Sequence, residues 1–109
     1  MNLNTLIWSL EELADKEEQL RLWTGDKLGE MGSFEESVSG IFDDSGLARL
    51  LDKGVSLDHL SRQAFEQAIV LRVATKKVPR SKSVVELIES LEMDDVRKQA
   101  KKLLMLLKD

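Results

Sequence analysis

The stretch SFEESVSGIF, residues 33–42, decides the fold class. Ser33 and Glu36 form a Ser-x-x-Glu box. In such a box the Ser hydroxyl accepts from the backbone N–H three residues on, and the Glu reaches back to the N–H of the Ser. Phe34, Val38, Ile41 and Phe42 follow at i, i+4, i+7 and i+8, the spacing of one helix face. The same box recurs at Ser9 with Glu12 and at Ser83 with Glu86. Three helix starts of one kind predict an all-α protein, a single compact domain over 1–109 with five or six helices in an antiparallel, bundle-like arrangement.

Outward from this stretch, the spacing predicts helices near 9–24, 34–43, 46–53, 57–75, 84–92 and 95–107. Residues 1–8 read as an N-terminal arm, either a short helix or extended. Trp8 before the Ser9 cap and Leu13 inside it have the spacing of a hydrophobic staple. Residues 24–33 hold Gly25, Gly29 and Gly32 and read as a loop. Asp44 or Ser45 is expected to cap the helix at 46–53, with Gly54 closing it. Ser56 is expected to cap the long helix, with Val55 and Leu60 as a second staple. From Ala68 to Ala74 that helix is apolar on nearly every side, which predicts a central position. Residues 75–83 form a basic connector around Pro79, the one proline. Asp94 is expected to cap the last helix, and it and the helix before it read as a small hairpin. Phe34, Val38, Phe42, Leu60, Leu71, Leu87 and Leu103 lie at stripe centres and are the expected core.

Composition excludes several function classes. The chain has no cysteine and one histidine, so disulfides and Cys- or His-based metal sites are out. Residues 1–10 lack the basic start of a signal peptide, and no apolar run is long enough to span a bilayer. The expected setting is cytoplasmic. His59, next to Asp58 at a helix start, has no partner in the pattern to make it a general base. Asp43-Asp44-Ser45-Gly46 lacks the alternating ligands of a calcium loop. The glycines at 25–32 have no phosphate-loop spacing. No catalytic residue, metal or cofactor is expected, and the chain does not read as an enzyme.

Charge is the remaining signal. The net charge is −4, yet residues 1–60 carry five Lys or Arg against thirteen Asp or Glu, and residues 61–109 carry +4. Such asymmetry suits a binding protein whose acidic half meets a basic protein partner. The candidate partner-binding residues are Trp23, Glu30, Glu35, Glu36, Asp43 and Asp44. The alternative is a regulatory nucleic-acid binder using Lys76, Lys77, Arg80 and Lys82, since phosphate contacts need clustered bases. No aromatic interleaves that patch, and nucleic acid is the lesser expectation. The apolar run Leu103-Leu104-Met105-Leu106-Leu107 covers more than one helix face and suggests a homodimer through the C-terminal helix. In outline, a small acidic helical chain of this kind resembles bacterial immunity proteins that block nuclease toxins. That likeness is one of class, without a shared motif. The colicin-type members use tyrosines on their inhibitory surface, and this chain has no tyrosine.

Overall fold

Asn2 starts the first helix, seven residues earlier than the Ser9 box suggests. Its Oδ1 accepts from the Thr5 N–H at 3.1 Å, and α1 runs over Leu3–Ala14. The computed structural model describes residues 2–24, 33–53, 60–80 and 83–108. The glycines at 25–32, Gly54, Ser56, the Val55 half of the second staple pair, His59 and Lys82 lie outside the described residues.

The early start of α1 reverses the role of Trp8. Leu6, Leu10 and Leu13 are fully buried at i, i+4 and i+7. On a helix already under way, Trp8 sits about 200° from Leu6 and so faces outward. It is 75% exposed, and the expected staple does not form. Ser9 is an interior helical residue rather than a cap.

The helix expected over 9–24 is two helices. Asp15 is extended (φ −113°, ψ 106°), and its Oδ1 accepts from the N–H groups of Glu17 at 3.0 Å and Glu18 at 3.2 Å. This caps α2, Lys16–Trp23. Glu17 and Glu18 in its first turn suit the positive end of the helix dipole.

Ser33 caps as expected, accepting from the Glu36 N–H at 3.0 Å, and α3 covers Phe34–Ser39. The chain then continues into a π-helical turn, Gly40–Asp44, closed by a Ser45 N–H to Gly40 C=O bond of 3.2 Å. Gly40 suits a close approach here: a Cβ would meet the Ser9 hydroxyl of α1, which would have to turn away. Ser45 then accepts from the Leu47 N–H at 3.2 Å, and Gly46 takes φ 86°, a left-handed backbone that suits glycine. Helix α4 follows over Leu47–Lys53.

Helix α5, Arg62–Lys76, begins five residues later than expected. Its cap is Ser61, whose Oγ accepts from the Ala64 N–H at 3.1 Å. Helix α6 covers Val84–Glu89 with Ser83 as cap. Helix α7 covers Leu91–Lys108 as one unit. Ser90 rather than Asp94 makes the junction: its hydroxyl donates to the Leu87 C=O at 2.7 Å and accepts from the Met93 N–H at 3.1 Å.

All described regular structure is helical, seven α-helices and one π-turn, against the five or six helices expected. The larger number follows from the break at Asp15. Helix α7 is the spine. Helix α5 packs along it on one flank and α1 on another, and α1 in turn carries α3 and the π-turn. One apolar core joins these elements; it includes all of the expected core residues except Val38, which is half-buried against it. The Cα radius of gyration is 13.6 Å, against roughly 13 Å for a compact chain of this length.

Two features depart from the apolar pattern. Helix α5 is one-sided rather than central: Ala64, Ala68, Leu71, Ala74 and Thr75 are buried, while Ile69, Val70 and Val73 face outward. Arg97 of α7 is buried, and its guanidinium donates to the Gln19 Oε1 at 2.8 Å, to the Ile88 C=O at 3.0 Å and to Asp94. Gln19, fully buried, donates to the Leu13 C=O at 2.7 Å and the Glu12 C=O at 3.2 Å. The carbonyls that helix ends leave unpaired are thereby satisfied at the ends of α1 and α6, with a cation placed where the helix dipoles favour one.

Candidate functional site

The two tryptophans differ in environment. Trp23 is 6% exposed, its ring edge-on to Phe34 with centroids 6.0 Å apart. Its indole N–H donates to the Glu12 Oε2 at 2.9 Å. A buried indole needs such a partner, so this expected contact residue serves packing. Trp8, which the sequence assigned to packing, is the exposed one.

Trp8 stands on the rim of a groove of about 330 Å³ between α1, α3 and the π-turn. Thr5, Ser9 and Glu12 line it from α1. Glu36, Ser37, Ser39, Gly40 and Asp44 line it from the other side. Three of these side chains are carboxylates, and none is basic. Glu12 is held in place at the floor, where its Oε2 also accepts from the buried Ser37 hydroxyl. Glu36 and Asp44 are exposed. Among the described residues no group of His, Cys, Asp or Glu is disposed to hold a metal ion.

The fold divides the acidic candidates. Glu36 and Asp44 meet at this groove. Asp43 lines an adjoining recess with Asn2 and Arg49, which Asp44 borders as well, and the Ser39 hydroxyl lies 3.4 Å from the Asp43 Oδ2. Glu35 points away, to an ion pair with Arg80. Glu30 lies outside the described residues. The physical reason is helical geometry: Glu35 and Glu36 are adjacent in sequence and therefore about 100° apart around α3.

The basic patch is divided too. Lys76 and Lys77 are exposed at the end of α5. Arg80 is engaged, with its guanidinium carbon 4.9 Å from the Phe34 ring centroid as well as paired with Glu35. These two residues, with Trp23, Phe34, Val84 and Leu87, line a second pocket of about 230 Å³. Of the C-terminal apolar run, Leu103 is buried and Leu104, Leu106 and Leu107 are partly buried against the core. Met105 alone is widely exposed, at 67%.

Sequence reasoning missed Trp8, Glu12, Ser37 and the Arg97–Gln19 pair. The available signal was the Leu6-Leu10-Leu13 spacing, which turns Trp8 outward once the helix begins before it. Comparison of the chain with protein-family models, curated proteins and solved structures gives no match. No described helix is long and apolar enough to cross a membrane.

Proposed function

We propose that this protein is a non-enzymatic, cytoplasmic protein-binding module, and that the Trp8 groove receives a basic side chain of its partner. The observation that carries the reading is a tryptophan 75% exposed beside Glu12, Glu36 and Asp44. An exposed Trp is the residue type most often found at the energetic centre of an interface. An Arg or Lys laid over its face gains cation–π attraction while its charge meets the carboxylates. The surrounding acids then steer a basic partner and disfavour an acidic one. An immunity-like inhibitor covering a basic enzyme surface is one case of this chemistry.

The test uses the indole N–H signals of the full chain, with Trp8 assigned through Trp8→Phe. A short arginine-containing peptide should move the Trp8 signal, and an acidic peptide of the same length should not. Glu36→Lys with Asp44→Lys should abolish the response. No response to either peptide, or one that survives the double charge reversal, removes the reading. Kinetics with a protein partner retained by the wild type and lost by Trp8→Ala would then show the acids acting chiefly on association rate.

Nucleic-acid binding comes second. Among the described residues it draws on Lys76 and Lys77, because Arg80 is engaged by Glu35 and Phe34. A homodimer through the C-terminal helix would draw chiefly on Met105.

A further inference from the structure

The outer face of α5 carries an apolar strip. At about 100° per residue, Glu66, Ile69, Val70, Val73 and Lys77 fall on one side of the helix, opposite the buried Ala68, Leu71 and Thr75. Ile69, Val70 and Val73 are 43%, 46% and 49% exposed. Single exposed apolar residues are ordinary on protein surfaces. Three within two successive turns, each partly uncovered, make a continuous strip. The strip ends in opposite charges: Glu66 on the N-terminal side and Lys77 on the C-terminal side, both exposed. Neither has an ion-pair partner among the described residues.

We propose that a second copy of this chain covers the strip, with the two α5 helices antiparallel about a two-fold axis passing between residues 71 and 72. That axis sets Val70 against Val73 of the partner subunit and Glu66 against Lys77 of the partner subunit. Each pairing occurs twice, as an isologous interface requires. The antiparallel sense follows from the charges. A parallel pair would oppose Glu66 to its own copy and Lys77 to its own copy, which costs rather than gains. The β-branched side chains give a low, even surface on which two helices can approach. The strip spans about 16 Å of helix, so the interface belongs to the small, transient class. This inference is independent of the Trp8 groove, which lies on α1, α3 and the π-turn.

Sedimentation velocity of the full chain, from roughly 10 µM to 1 mM at low ionic strength, reads the association across the range expected of a weak complex. Wild type should shift from monomer toward dimer across that range. Val73→Asp places a charge at the centre of the strip on an already exposed position and should weaken association by about 10-fold or more, with an unchanged circular dichroism spectrum. Glu66→Lys should weaken it about 5-fold, and adding Lys77→Glu should restore it to within about 2-fold of wild type. A wild type that stays monomeric at the highest concentration overturns the proposal. So does a dimer that persists in Val73→Asp, which would place the contact elsewhere, Met105 included. Failure of the charge swap to restore association overturns the antiparallel pairing.

Discussion

Helices α1 and α5 both pack on α7, and they leave opposite kinds of surface behind. The buried side of α1 is large and branched, Leu6, Leu10 and Leu13, and its outer side is mostly polar, with Leu3 exposed at its start, Ile7 half-buried and one wide-open tryptophan. The buried side of α5 is small, three alanines with Leu71 and Thr75, and its outer side is the apolar strip. Alanines let two helices approach closely, which frees the larger β-branched residues for the outside. The lesson concerns partners. On the proposed readings, a lone aromatic among carboxylates complements a molecule unlike itself, and an apolar strip with opposite charges at its ends complements its own copy.

The contrast is sharpest between neighbours on α5. Leu71 is fully buried, and Val70 beside it is nearly half exposed. Leu71→Ala should lower stability by about 2–5 kcal/mol, from lost burial and the cavity left behind. Val70→Thr should change it by less than about 0.5 kcal/mol. Similar denaturation midpoints for the two variants would mean that α5 is not one-sided.

The junction of α7 with α2 and α6, tied through Gln19 to the end of α1, depends on polar groups as well as leucines. Arg97→Ala should cost about 2–4 kcal/mol, because Gln19 and the Ile88 carbonyl are left buried without their donor. Changing Gln19 and Arg97 together to Leu should cost less than the sum of the two single changes, since the bond between them is lost once and neither side chain is left without the other. Additive losses in chemical denaturation would show that the pair is not coupled.

Where α1 crosses the π-turn, space is the limit. Gly40→Ala should cost about 1–3 kcal/mol through collision with Ser9. Ser9→Ala in the same chain should recover part of that loss, by relieving the contact with the Oγ. A double variant no more stable than Gly40→Ala alone would locate the strain elsewhere.

The smallest effect is expected on the outer side of α1. Trp8→Ala should alter stability by less than about 0.5 kcal/mol, while removing the response to a basic peptide. A large loss of stability would return Trp8 to the packing role that its sequence position first suggested.

Much of the fold was legible in the residues. The Ser33 and Ser83 caps, the burial of Phe34, Ile41 and Phe42 and the alignment of Leu60, Leu71, Leu87 and Leu103 with the core are local signals that were read correctly, while Val38 is only half-buried. The candidate site was less legible. Glu36 and Asp44 share one groove, but Trp23, Glu35 and Asp43 go elsewhere, because neighbours in sequence diverge by about 100° on a helix. Asp15 was also missed. An Asp caps a helix or merely decorates one depending on its backbone dihedrals, and the sequence does not state those.

By itself the sequence determined that the chain is helical, where several helices start, and which stripes are apolar. Those properties rest on hydrogen bonds and periodicities that span three or four residues. Only the tertiary structure decided that Trp8 is outside and Trp23 inside, that Arg97 is buried against Gln19, and that the outer face of α5 is uncovered. Each depends on which helix faces lie against one another. That choice is made by the packing of distant segments against α7, where a shift of one residue around a helix moves a side chain from core to solvent.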